Sequence, residues 1–239
     1  MPLLTSIQKT KFVGSLKAYK SKYLRKKFFE TDESGTRIMV ISFLTEVLWY
    51  EELEEIKTEY AIRGTYADYV IQLEKKQKMV IEVKAIQLEL NENHIRQALG
   101  YAANEWVDWV LLTNAKRFVL YRVIFWKPID FKKVFDHDLM DAKSLEKSID
   151  HLELITKKCF STWCLDDYWQ RFQAIEPVNL YEHLYRIEII RSLRKILKQE
   201  KWLLFSEEDI LESVYNVVIR KIESPQPRKP KEAKQKKNK

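Results

Sequence analysis

The sequence predicts an α/β fold in which a mixed central sheet is flanked by helices and followed by a helical segment. Three observations predict it. Short apolar runs between residues 58 and 123 are interrupted by one helical stretch at about 91–105. From about Lys143 the texture changes to long stretches of 3.6 period. Only 4 Gly and 6 Pro in 239 residues argue against a loop-rich sandwich or a repeat architecture.

Thr5 to Phe28 carries Phe12, Leu16, Tyr19 and Tyr23 at spacings of three and four, which predicts a helix with one apolar face. After "TDESG", the run "TRIMVISFLTEVLWY" places Ile38, Ile41, Leu44, Val47 and Leu48 on one face of a second helix. Extended runs follow in "TEYAI", "YADYVIQL" and "MVIEVKA", the last two joined by the charged turn "EKKQK". A helix from about Asn91 to Glu105, with Asn91 or Asn93 as its N-cap, leads to the strands "WVLLT" and "RFVLYRV", separated by "NAK". In the helical part, "NLYEHLYRIEIIRSLRKILKQE" is strongly periodic, and Ser206-Glu207-Glu208-Asp209 opens a last helix as a capping box. This divides the chain into an N-terminal helix (1–30), a core (31–142), a helical appendage (143–223) and a basic tail (224–239).

Composition bounds the function. No apolar run approaches the roughly 18 residues that span a bilayer, and the first 20 residues lack the apolar segment of a signal peptide. Two cysteines, Cys159 and Cys164, make no disulfide framework, so a cytoplasmic chain is expected. The formal charge of +7 misleads, because the tail "SPQPRKPKEAKQKKNK" holds seven Lys/Arg against one Glu. It accounts for +6, leaving the body almost neutral. Without large apolar residues the tail cannot offset its ordering entropy and is expected to be disordered, either a sequence-blind attractor of polyanions or a solubilising end.

The strand "MVIEVKA" raises the chemical question. Side chains alternate along a strand, so Glu82 and Lys84 share one face while Ile81, Val83 and Ala85 share the other. A carboxylate and an ammonium in a core strand are costly unless they pair or bind something. The "EKKQK" turn folds the preceding strand back and brings Asp68 towards Glu82. Two neighbouring carboxylates repel, and a divalent cation cures the repulsion; hard oxygen donors favour Mg²⁺ or Mn²⁺ over zinc. A lysine beside that ion can hold or activate water, as in metal-assisted phosphoryl transfer. The Glu-x-Lys pattern alone is cheap. It occurs four times, and only Glu82/Lys84 sits in an apolar strand; the competing reading is a structural ion pair on a solvated sheet face. His94, Gln97 and Tyr101 then share one face of the next helix, which the crossover can lay over the same site. Cys159-x4-Cys164 with His151 upstream fits no common zinc pattern and reads as ordinary thiols.

The run from "ESGTR" through "ADYVI", "MVIEVKA", "NENHIRQALGY" and "WVLLTNAKRFVLYR" resembles the N-terminal nuclease domain of type I restriction enzyme R subunits, a branch of the PD-(D/E)xK nucleases. The resemblance implies a restriction-endonuclease-like core and a Mg²⁺-dependent (or Mn²⁺-dependent) endonuclease acting on DNA. It implies Asp68 and Glu82 as metal-binding carboxylates, the Val83 carbonyl as a further ligand and Lys84 as the catalytic lysine. Gln97 and Tyr101 match the family's Gln-x-x-x-Tyr extension and are expected to contact nucleic acid or support the site. Glu33 matches a glutamate at the start of the first core helix. R subunits continue into a motor, yet no G-x-x-x-x-G-K-[ST] phosphate loop occurs here. The expectation is a stand-alone nuclease, or one working with a separate targeting, motor or methyltransferase subunit, with the helical segment open to packing on the core or to self-assembly. The rival readings are a nucleic-acid- or partner-binding module on the same fold and a nuclease acting on RNA.

Overall fold

Thr5 opens the first helix with a reciprocal cap, its hydroxyl accepting the Gln8 amide N–H at 3.3 Å while the Gln8 side chain accepts the Thr5 N–H at 3.0 Å. In this computed structural model, which describes residues 4–62, 65–125, 128–141 and 145–219, that helix is α1 (Ser6–Tyr23), and Phe12, Leu16 and Tyr19 are its buried stripe. Asp32 caps α2 (Glu33–Ser42) by accepting the Gly35 N–H at 2.8 Å. The helix then loosens into a π turn, Phe43–Val47, and a short α3 (Glu52–Glu55) follows. The π turn shifts the apolar stripe. Met39, Val40, Phe43, Leu44, Val47 and Leu48 are buried, whereas Ile38, expected on the core face, is 68% exposed.

Six strands form one sheet in chain order: β1 (Ile56–Ile62), β2 (Thr65–Leu73), β3 (Lys76–Val83), β4 (Trp109–Thr113), β5 (Arg117–Ile124) and β6 (Asp130–Asp138). All neighbours pair antiparallel except β3 and β4, which are parallel with Glu82 opposite Leu112. Parallel neighbours need a crossover. It is supplied by a 3₁₀ turn (Glu92–Ile95) capped by Asn91 and by α4 (Arg96–Asn104). The sheet is therefore mixed, with β6 as an additional strand beyond the five expected. Helix α4 packs across β2 to β5, and its Ala98, Tyr101 and Ala102 join Val70, Val80, Val110 and Leu112 in one buried cluster. On the opposite face Phe43 stacks on Phe118 at 4.3 Å, and the buried Tyr19 hydroxyl donates to the Ala115 carbonyl at 3.0 Å.

The chain divides into two units, Met1–Asp166 and Asp167–Lys239. The first includes α5 (Leu145–Glu153) and α6 (Lys157–Ser161) because both are tied to the core. The Lys9 ammonium reaches Asp150 at 2.8 Å, the buried Tyr50 hydroxyl donates to the Ile155 carbonyl at 2.8 Å, and the Lys157 amide donates to the Leu48 carbonyl at 3.0 Å. Helix α7 (Cys164–Ala174) follows, and the second unit carries α8 (Pro177–Leu184), α9 (Ile187–Lys201) and α10 (Glu207–Ile219). The Ser206 hydroxyl accepts the Asp209 N–H at 3.0 Å, the cap expected from sequence, and Glu207 receives Arg191 at 2.9 Å. Both cysteines are free, Cys159 buried and Cys164 partly so. The basic tail, 224–239, lies outside the described residues. Among the described residues no helix is long and apolar enough to cross a membrane.

Candidate active site

The hairpin of β2 and β3 turns through Glu74 and Lys75, both in left-handed backbone with φ of 51° and 64°. A two-residue turn of that hand matches the twist of the strands and fixes their register. Tyr69 then lies opposite Ile81, so Asp68 falls beside the Glu82–Val83 peptide. Its Oδ2 accepts the Val83 N–H at 2.7 Å. Glu82 has the same facing as Val80, whose side chain lies in the cluster under α4. The two carboxylates are nearly sealed, at 8% exposure for Asp68 and 5% for Glu82.

Lys84 follows on the same face. Its ammonium bonds Glu82 Oε1 at 2.6 Å and stands 3.7 Å from Glu33 Oε2, while its backbone N–H donates to the Thr113 carbonyl at 2.9 Å and keeps the strand in the sheet. Glu33 arrives from the first turn of α2. That helix is pinned to the strand exit by the fully buried Thr36, whose hydroxyl accepts the Ile86 N–H at 3.0 Å and donates to the Asp32 carbonyl at 2.7 Å. One turn further along α2, Arg37 bonds Asp68 Oδ1 and lies 3.4 Å from Glu33 Oε1. The Tyr69 hydroxyl donates to the Arg37 carbonyl at 3.0 Å, so β2 holds this helix turn in place.

Three carboxylates thus face two cations. Burial raises the Asp68 carboxyl above its ordinary range, against the lowering pull of the Val83 N–H, Arg37 and Lys84. Burial likewise raises Glu82; Lys84 opposes the shift, and repulsion from Asp68 adds to it. For Lys84 burial pulls the ammonium down, but Glu82, Glu33 and Asp68 carry it above its usual value. Lys84 is therefore charged at neutral pH in this state.

The structure brings Asp68, Glu82, Lys84, Glu33 and the Val83 backbone together. Arg37 joins them and escaped the sequence reading, although its position four residues after Glu33 on a helix was a usable signal. The α4 residues are arranged differently. Gln97 lies exposed in the first turn of α4. His94 closes a local cap, its Nδ1 accepting the Asn91 N–H at 3.4 Å. Tyr101 is fully buried and its hydroxyl donates to Gln77 Oε1 at 3.2 Å, near the start of β3, away from the Glu82 end of that strand.

Among the described residues no group of three or more His, Cys, Asp or Glu is gathered to hold a metal. The donor chemistry nevertheless fits a hard divalent ion. Asp68 and Glu82 supply carboxylate oxygens, burial first and then repulsion from Asp68 raise Glu82, and the five-residue cluster carries one excess negative formal charge.

No curated protein and no solved structure gives a significant match to the chain. Residues 32–131 match the family model described as type I restriction enzyme R protein N terminus. The matched segment begins at the Asp32 cap of α2 and ends within β6. It contains Glu33, Arg37, Asp68, Glu82, Lys84, Gln97 and Tyr101. The sheet-and-helix core between residues 32 and 131 is thus similar to the type I restriction enzyme R protein N terminus.

Proposed function

We propose that the core is a divalent-metal-dependent endonuclease acting on DNA. The observation that carries this reading is the convergence of buried Asp68 and Glu82 with the Lys84 ammonium at the end of one hairpin. Asp68 and Glu82, with the Val83 carbonyl, hold Mg²⁺ or Mn²⁺. When bound, the ion stabilises the charge that develops on the phosphoryl group. Lys84 is positioned to orient the attacking water by donating to it; its raised proton affinity suits a donor rather than a base. Asp68 keeps the Val83 peptide fixed, so the spacing of Glu82 and Lys84 does not drift. By resemblance, hydrolysis leaves a 5′-phosphate. DNA is the partner, a targeting, motor or methyltransferase subunit is a further one, and the cytoplasm is the compartment. The helical segment is the proposed place for self-assembly.

One observation favours a second reading. Arg37–Asp68 and Lys84–Glu82 satisfy the buried charges without an ion, as a binding module on this fold would require. Purified protein is assayed with Mg²⁺ or Mn²⁺ on plasmid, single-stranded DNA and RNA beside Asp68→Ala and Lys84→Ala. Metal-dependent cleavage lost in both variants supports the nuclease. Equal activity in all three proteins, or activity in chelator, rejects it, and the choice of substrate separates DNA from RNA.

A further inference from the structure

Arg37 is the least expected member of the cluster, and its geometry gives it a task. Its guanidinium bonds Asp68 Oδ1, the carboxylate oxygen left over once Val83 N–H has taken Oδ2. Its side chain is 32% exposed against 8% for Asp68. Arg37 is thus the more solvent-exposed partner of this ion pair. A guanidinium does not shed its proton, so it leaves an anion only by moving away. A receiver is at hand. Glu33, one helical turn earlier and 39% exposed, already stands 3.4 Å from the same nitrogen, and its other oxygen faces Lys84 at 3.7 Å.

We infer that Arg37 is the resting occupant of the divalent-cation position, neutralising Asp68 until a metal ion replaces it, with Glu33 as the carboxylate that receives the displaced guanidinium. Arg37 is thus a positioning residue and a competitor of the metal. The inference rests on the nuclease reading of this site. Its physical basis is charge exclusion. A fixed positive group bonded to one metal-binding oxygen repels a second cation and must be separated from its carboxylate before the ion can bind. The exchange keeps two buried carboxylates compensated at every stage. It also makes metal affinity lower than the bare ligand set would give.

The test is Mn²⁺ titration of the full chain by calorimetry, with thermal unfolding in chelator and in saturating Mn²⁺. Wild type is compared with Arg37→Met, Arg37→Lys and Asp68→Asn. Expected is an affinity that rises from wild type through Arg37→Lys to Arg37→Met, the last roughly tenfold or more tighter. Arg37→Met melts lower than wild type in chelator and gains more from Mn²⁺, while Asp68→Asn loses the binding. Should Arg37→Met fail to fold, Arg37→Lys carries the same sign at smaller size. A wild type that binds Mn²⁺ as tightly as the variants overturns the inference. If that wild type also cleaves DNA, only the role of Arg37 is lost. If no protein takes up Mn²⁺ and none cleaves, the nuclease reading fails with it.

Discussion

Asp68 accepts the Val83 N–H at 2.7 Å, so the first carboxylate is bonded to the peptide that joins Glu82 to Lys84. This contact separates two roles of one side chain. Asp68→Asn keeps an acceptor for Val83 and removes a charge whose burial is unfavourable, as its raised proton affinity records. It is expected to melt within a few degrees of wild type while losing cleavage at least about a hundredfold. Asp68→Ala leaves the Val83 donor unsatisfied and costs about 1–3 kcal/mol besides. Thermal unfolding beside a plasmid assay distinguishes the two.

Lys84→Met keeps the aliphatic stem and removes the partner of Glu82. Breaking such a pair by one side costs about 2–3 kcal/mol here, discounted because Lys84 is 20% exposed. Glu82 already has a raised pKa, and losing the lysine raises it further. A carboxyl with raised folded-state pKa is penalised at neutral pH and relieved once protonated. The stability deficit of Lys84→Met against wild type is therefore expected to shrink between pH 7 and pH 5. Denaturant melts across that range check the sign.

His137 Nε2 and His151 Nδ1 are hydrogen-bonded at 2.6 Å between β6 and α5, with Phe135 stacked on both rings at 5.5 Å. Burial and the neighbouring His151 lower His137 to about 4, Lys147 adding and Asp136 opposing; burial lowers His151 too, with Asp150 opposing. Above about pH 6.5 both rings are neutral whether folded or unfolded. Below it the unfolded chain takes up protons that the folded pair resists, so stability falls from about pH 6.5 towards 4, by on the order of 2 kcal/mol. His137→Phe should flatten that slope in pH-dependent unfolding.

Gly100 lies exposed inside α4, where an added Cβ meets nothing within 4 Å. Gly100→Ala is expected to stabilise by about 0.5–1 kcal/mol and to raise Tm by a few degrees. Gly35, in the capped first turn of α2, is the contrast. A Cβ there collides with the Thr31 side chain, so Gly35→Ala lowers Tm and disturbs the helix that carries Glu33 and Arg37.

Tyr101 and Gln97 make separable predictions. The Tyr101 hydroxyl is engaged by Gln77, so Tyr101→Phe should cost about 1 kcal/mol of stability and leave Mn²⁺ affinity unchanged. Exposed Gln97 sits at the start of α4, and Gln97→Ala should leave Tm unchanged while raising KM for DNA. Calorimetry and steady-state cleavage separate these outcomes.

Much of the core was legible because its strands are dense in β-branched and aromatic residues and bounded by turn residues. "WVLLT" is the whole of β4, and the "EKKQK" turn did set Asp68 against Glu82. Strand β6 was missed because "DFKKVFDHD" alternates weakly and carries five charged residues, as befits an edge that faces water. Ile38 was misplaced because a π turn adds a residue to the helical repeat, which periodicity alone does not reveal. Helices α5 and α6 read as an appendage since the hydrogen bonds and ion pairs that help tie them to the core are invisible to composition. Arg37 hid in plain view. An exposed-looking basic residue on a helix announces nothing until the strand opposite supplies its carboxylate.

Sheet order here is chain order, with each strand beside its immediate predecessor. Contacts between neighbours in sequence close short loops, which favours rapid folding. A nascent chain can lay down β1, β2 and β3 as a growing ribbon while the rest is still being synthesised. The hairpin that carries Asp68 and Glu82 is thus complete in the nascent chain before the crossover helix has been synthesised.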